Sequence, residues 1–300
     1  MKRILMAITL FAAAAGTAAC DCCTEAAKPR KEVGLQLYSL RNDIGVFGHD
    51  KGDYTDLLKA IAEMGYTSIE AASYGDGKFY GREPEQFRKD VEAAGLEVLS
   101  SHTARYLSAE ELASGDFAES MAWWDDCIAA HKAAGMSFIV MPSMPRCETL
   151  ADLATYCRYF NEIGARCREA GMSFGYHNHD FEFRKTEDRV MLDYLIENTD
   201  PERVFFEMDV YWTVIGKASP VDYFDRYPGR FRLLHIKDLR EVGQSGMVGF
   251  DAIFRNAGKA GVEHIVVEME ESSYGDDLRS VRESVDYLLD APFVEASYRK

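Results

Sequence analysis

The feature that most constrains this chain is a junction repeated five times: a helical stretch closes on glycine and a short β-rich run begins at once. It occurs at Met64-Gly65 before Tyr66–Glu70, Ala94-Gly95 before Leu96–Ser100, Ala134-Gly135 before Met136–Met141, Ala170-Gly171 before Met172–Tyr176 and Ala260-Gly261 before Val262–Val267. Glycine adopts the left-handed backbone that ends a helix, so each junction reads as a helix feeding a strand. Three further β runs, Val33–Leu40, Val204–Val210 and Phe231–Lys237, complete a set of eight. Amphipathic stretches lie between them at Tyr54–Met64, Pro84–Ala94, Phe117–Ala134, Leu150–Ala170, Arg189–Asn198, Pro220–Tyr227, Phe250–Ala260 and Leu278–Leu289. Alternating strands and helices pair in parallel through right-handed crossovers, and eight units over residues 32–300 predict a single-domain α/β fold, a (β/α)8 TIM barrel. An open doubly wound sheet would carry a glycine-rich nucleotide loop after its first strand, and Leu40-Arg41-Asn42-Asp43 has none.

The first residues read as an address. Met1-Lys2-Arg3 is basic, and Ile4–Ala15 is apolar but too short for a permanent membrane span, so residues 1–19 are expected to be a signal peptide. Gly16-Thr17-Ala18-Ala19-Cys20 resembles a bacterial lipobox, which implies lipidation of Cys20 and a polar tether over residues 20–31. The expected product is an exported lipoprotein, periplasmic or membrane-anchored, touching the membrane only through its N-terminal lipid. With 50 Asp+Glu against 34 Lys+Arg the net charge is −16, and it falls to −18 once Lys2 and Arg3 are removed. Such a surface repels nucleic acid, which excludes DNA and RNA as partners. The seven cysteines lack zinc-ribbon spacing. Cys157 and Cys167 lie about 15 Å apart along one helix, too far to bridge, and read as buried thiols.

In a barrel of this kind chemistry sits where the strands finish, and residues two apart on a strand share a face. The fifth run ends Tyr176-His177-Asn178-His179-Asp180-Phe181-Glu182, the sixth Glu207-Met208-Asp209-Val210-Tyr211-Trp212, the seventh His235-Ile236-Lys237-Asp238 and the eighth Glu268-Met269-Glu270-Glu271. In each the polar pair shares parity and a residue of the opposite face separates it. Burying carboxylates and imidazoles together costs several kcal/mol per unpaired charge, so a neutralising divalent cation is expected. A mixed imidazole and carboxylate set suits Mn²⁺, Fe²⁺, Co²⁺ or Zn²⁺ better than Mg²⁺.

On these residues the chain from about Val33 to Pro292 resembles the xylose-isomerase-like sugar phosphate isomerase/epimerase superfamily. The resemblance implies one divalent metal held at the ends of strands five to eight, usually by Glu, Asp, His and Glu. Asp209 in Met-Asp-Val-Tyr-Trp, His235 in Leu-Leu-His-Ile-Lys-Asp and Glu268 in Val-Val-Glu-Met-Glu match the last three. At strand five His177 stands where many members place Glu, with His179 one pleat further toward the mouth as the alternative ligand. This His-Asn-His segment resembles a subgroup that includes inosose dehydratase-like and 3-keto-glycoside-processing proteins. Without the strand-five Glu, the two-glutamate epimerisation of the superfamily is disfavoured. What fits is removal of a proton next to a carbonyl followed by loss of a β substituent, or the reverse hydration. His179 or His102 would move the proton, and Lys237 or Glu270 would assist the leaving oxygen.

The implied substrate is a small carbohydrate, unphosphorylated because only Arg41 and Lys237 supply positive charge near the mouth. Gln36, Tyr38, Glu70, Glu182 and Trp212 are candidate substrate-binding residues. Tyr74, Tyr80, Tyr106, Trp123 and Trp124 supply further aromatics, with at least one of the two adjacent tryptophans expected in the core. A plain glycoside lacks the carbonyl that enolisation needs, so a sugar oxidoreductase partner would supply the keto substrate. A homo-oligomer is compatible with this reading. The competing classes are a sugar isomerase/epimerase, a non-catalytic carbohydrate-binding lipoprotein and a barrel-type DNA-repair endonuclease, the last opposed by the acidic charge and the export signal.

Overall fold

The structure is a computed structural model describing residues 30–49 and 51–299. The expected signal peptide, Cys20 and the tether up to residue 29 lie outside the described residues. Eight parallel strands form one sheet: β1 (Gly34–Gln36), β2 (Ser68–Ala71), β3 (Glu97–Ser101), β4 (Phe138–Met141), β5 (Ser173–His177), β6 (Val204–Asp209), β7 (Phe231–Ile236) and β8 (His264–Val267). β8 pairs with β1, and the series runs in sequence order around a barrel from β1 to β3 and from β4 to β8. The remaining seam, β3 to β4, is stitched by Ser137 N–H to Leu99 O at 3.0 Å, Thr103 N–H to Val140 O at 2.9 Å and a bridge between His102 and Val140.

The eight main helices are α1 (Thr55–Met64), α2 (Pro84–Ala93), α3 (Ala118–Ala133), α4 (Leu150–Glu169), α5 (Met191–Asn198), α6 (Pro220–Arg226), α7 (Phe250–Arg255) and α8 (Asp277–Asp290), with α7 continued by a turn at Ala257–Ala260. The glycine punctuation works as expected: Gly65 closes α1 at φ 110° and Gly261 closes the turn after α7 at φ 89°. Most boundaries move by one to three residues, and two differ in kind. The first β run stops at Gln36, and Leu37–Leu40 turn into a 3₁₀ helix because the Gln36 side chain accepts the Tyr38 amide. The stretch opening at Arg189 begins instead as a hairpin, Lys185–Thr186 against Arg189–Val190, and α5 starts at Met191.

Two apolar layers hold the fold. Met208, Ile236 and Met269 belong to the large outer layer between strands and helices. Inside the barrel, Leu99, Phe138, Val140, Phe205, Leu233 and Val266 form a separate plug. Gly175 makes room for it, since a Cβ there would stand 2.4 Å from the Phe205 ring. The plug fills the barrel up to the level where the polar strand ends begin, so those ends sit on an apolar floor.

Candidate active site

Register explains which strand-end side chains meet. His177 of β5 lies beside Glu207 of β6, Asp209 of β6 beside His235 of β7, and Gln36 of β1 beside Glu70 of β2. At two places the neighbouring strand carries an extra residue: Leu99 on β3 opposite the Ile69 to Glu70 step, and Arg232 on β7 opposite the Phe206 to Glu207 step. Such irregularities re-aim side chains, and here they fall beside two glutamates wholly removed from solvent, Glu70 and Glu207.

Glu70 and Glu207 form the lower tier. Glu70 Oε1 accepts from Gln36 Nε2 at 2.7 Å and lies 2.7 Å from His235 Nε2, while Oε2 accepts from the Ser100 hydroxyl at 2.6 Å. Glu207 Oε2 lies 2.8 Å from His102 Nε2, 3.3 Å from His177 Nδ1 and 3.3 Å from His235 Nε2. Burial opposes charge on His235, but Glu207 and Glu70 outweigh it and raise its pKa well above the usual imidazole range. His102 is raised by the same two carboxylates against burial. His177, which burial and the surrounding imidazoles hold well below that range, is neutral.

The upper tier is made by Asp209, Glu268, Lys237, Glu270 and His179. Asp209 N-caps the helix Val210–Ile215, its Oδ1 accepting the Trp212 amide at 2.8 Å, while Oδ2 is buried with no hydrogen-bond partner. Burial pushes the Asp209 carboxyl up to about 7. Glu268 Oε2 lies 3.4 Å from His235 Nδ1, too poorly aligned for a hydrogen bond, and accepts from Lys237 Nζ at 3.0 Å. Against burial, the Lys237 ammonium and His235 hold Glu268 well below the usual carboxylate range. Lys237 also bonds Glu270, which is 37% exposed and reaches the cavity. His179 lines the same cavity with Nδ1 buried and unpartnered, and burial pushes it down to about 4.

One atom each from His177, Asp209, His235 and Glu268 lie within 4.8 Å of one another. His177 Nδ1, His235 Nδ1 and Asp209 Oδ2 are buried and without hydrogen-bond partners. Unpartnered imidazole and carboxylate atoms, converging beside a charged carboxylate, fit a divalent cation that would displace the His235 proton. A second set sharing two residues, His102, His177, Glu207 and His235, meets the same distance limit one tier down.

The candidate residues thus divide. His102, His177, His179, Glu268, Glu270 and Tyr38 line a cavity of about 500 Å³. Gln36 and Glu70 are wholly buried in the lower tier. Trp212 packs against His179, ring centres 5.6 Å apart, with the Lys237 ammonium 5.2 Å from its ring. Glu182 is not in the cavity lining: it is wholly buried, accepting the Tyr176 hydroxyl at 2.6 Å and the His179 amide at 2.9 Å, so it braces the strand-five segment. Of the adjacent tryptophans, Trp124 is core, bonded to the Tyr159 hydroxyl at 2.7 Å, and Trp123 faces the cavity. Two residues escape the sequence reading of roles, Glu207 and Ser100. Glu207 shares parity with Asp209, which was the available signal, whereas Ser100 carries none.

The profile of the xylose isomerase-like TIM barrel family matches residues 58–291. A solved sugar phosphate isomerase/epimerase from Parabacteroides distasonis ATCC 8503 superposes with a TM-score of 0.80 at 34% identity, covering 88% of this chain and 100% of that one. An inosose dehydratase of Geobacillus kaustophilus is 24% identical over 222 residues, 69% of each chain. The inosose dehydratase of Lacticaseibacillus casei is 34% identical over 79 residues, so that match spans only 26% of either protein. The fold, the strand-end constellation and these matches agree: the chain belongs to the xylose isomerase-like TIM barrel family.

Proposed function

We propose that this protein is a metal-dependent carbohydrate enzyme that enolises a keto-sugar or 3-keto-glycoside and expels a β substituent, acting as a lyase or, in reverse, a hydratase. The observation that carries the reading is the convergence of unpartnered His177, His235 and Asp209 atoms beside Glu268, with His177 and Glu268 reaching the cavity. These four would hold the ion, of Mn, Co, Fe or Zn type. When bound, such an ion supplies Lewis-acid polarisation of a substrate carbonyl.

The chain's own groups supply proton movement. His179 borders the cavity and burial keeps its ring neutral at pH 7, so it accepts the proton from the carbon next to the carbonyl. His102 is the poorer base, because its Nε2 is already committed to Glu207 at 2.8 Å and Glu70 at 3.1 Å. As the carbon–oxygen bond at the β position breaks, Glu270, which reaches the cavity, relays a proton from the buried Lys237 ammonium to the departing oxygen, which leaves as water or an alcohol. No Lys or Arg lines the cavity among the described residues, which favours an unphosphorylated sugar despite the name of the Parabacteroides relative.

The test is proton exchange in D₂O. A 3-keto-glucoside should acquire deuterium next to its carbonyl and form an unsaturated ketone, while the plain glucoside stays unchanged. Exchange with inversion and no elimination would favour a sugar isomerase/epimerase, the reading suggested by the Parabacteroides relative. No exchange on any keto-sugar, together with no metal by elemental analysis, would leave a non-catalytic carbohydrate-binding protein. Export and lipidation at Cys20 belong to the same proposal, and so does an oxidoreductase that makes the keto-sugar.

A further inference from the structure

The cavity has two unlike walls. His177 and His179 after β5, Glu268 and Glu270 after β8, and His102 after β3 make one. Opposite stand five aromatic side chains from the β1 to β4 half: Tyr38, Phe47, Tyr74, Tyr106 and Trp123. The rings are set against one another, with Tyr38 and Phe47 centred 6.4 Å apart and Tyr74 meeting Trp123 edge-on at 5.9 Å. A monosaccharide engaged at the acidic wall would leave much of a 500 Å³ space, and this wall in particular, unfilled.

Phe47 is the telling residue. It holds φ 54°, the left-handed region that a bulky side chain adopts at a disadvantage, and it is 69% exposed, so folding gains little from its ring. Its amide donates to the Ser73 hydroxyl at 3.0 Å, which fixes the loop in that shape. A strained, exposed phenyl at the rim of a cavity is what a ligand-contacting residue looks like.

The polar groups of the wall say which kind of ligand. The Tyr106 hydroxyl pairs with Ser143 at 2.9 Å, Thr103 with Ser101 at 2.7 Å and His131 at 3.1 Å, and the Tyr74 hydroxyl with the Cys127 thiol. A second sugar ring would need several free donors and acceptors here, and of the wall's hydroxyls Tyr38's alone has no partner among the described residues. A planar apolar ring needs only ring faces.

We propose that this wall is an aglycone subsite: the substrate is a glycoside of an aromatic alcohol, its sugar at the strand-end acids and imidazoles and its aryl group among Tyr38, Phe47, Tyr74, Tyr106 and Trp123. The inference rests on the carbohydrate reading above and adds the class of leaving group or substituent.

Calorimetric titration of the purified protein with phenyl β-glucoside, methyl β-glucoside, cellobiose and phenol tests it without requiring turnover. Phenyl β-glucoside should bind about tenfold or more tightly than methyl β-glucoside. Phe47→Asn, which suits the left-handed backbone, and Trp123→Ala should each shrink that ratio severalfold while leaving methyl glucoside affinity unchanged. Thermal melting of Phe47→Asn at or above the wild-type temperature would show that the loss is not one of folding. Equal binding of the two glucosides, tighter binding of cellobiose than of phenyl glucoside, or no binding of either glucoside overturns the subsite. Phenol binding as tightly as phenyl glucoside would overturn the glycoside proposal by removing the sugar, and the carbohydrate function with it.

Discussion

Glu70 touches no cavity surface, yet its carboxylate lies 2.7 Å from His235 Nε2 and is itself pinned by Gln36 and Ser100. With one proton held at Nε2 by Glu70, Nδ1 beside Glu268 is the nitrogen that would give up its proton to a cation, the tautomer a metal ligand requires. Glu70→Gln should therefore weaken metal binding about 10- to 100-fold with little change in fold, read by competition with a chelating dye. Unchanged affinity would mean that His235 is oriented by packing alone. Asp209→Ala and His235→Ala should each abolish metal retention in elemental analysis of the purified protein. Glu182 makes a prediction of a different kind. Burial pushes its carboxyl up to about 7 from an ordinary 4.5. The unfolded chain releases this proton at lower pH than the native one, so Glu182 makes stability fall as pH rises from about 4.5 to 7, by roughly 3 kcal/mol in all. Glu182→Gln, which can still accept the His179 amide, should flatten that part of the decline in urea unfolding between pH 5 and pH 7.5. A decline of the same depth in the variant would place the destabilisation elsewhere.

Among the elements, all eight strands and their intervening helices were legible because glycine caps and β runs are local signals. Parity on β5 to β8 was legible for the same reason, and it anticipates that His177, Asp209, His235 and Glu268 meet. Cross-strand facts were not. The extra residues Leu99 and Arg232 on β3 and β7 are properties of pairing, so no single segment reveals that Glu70 and Glu207 become a buried lower tier. Nor does sequence show that Asp209 ends a strand and starts a helix, which is why the sixth β run was expected to continue through Val210. Glu182 was misplaced for a related reason: it lies near two histidines in sequence, but the 3₁₀ turn Phe181–Phe183 folds it back under them. At this scale Gly175 is the critical joint. Gly175→Ala would drive a methyl into the Phe205 ring and should cost about 1–3 kcal/mol in denaturant unfolding. Adding Phe205→Leu should recover part of it, and no recovery would show that the strand backbone is what resists.

For the whole molecule, charge and address point the same way. A net charge of −16 disfavours adhesion to nucleic acid, and among the described residues no helix is long and apolar enough to cross a membrane. In the proposed lipoprotein the attachment is carried by Cys20. Cys20→Ala should move the protein from the membrane fraction to the soluble fraction and remove labelling by a radioactive fatty acid, whereas persistent membrane association would point to another anchor. The barrel itself is unevenly sewn. Continuous hydrogen-bonded ladders join β5 to β8, which carry the four residues proposed to hold an ion, while a few bonds close β3 onto β4 beneath the aromatic wall. Mechanically this is a rigid jaw facing a compliant one. The half that carries the proposed ion ligands has little freedom to yield, whereas the seam passes through His102, whose Nε2 lies 2.8 Å from Glu207, so any opening there is felt at once in the lower tier.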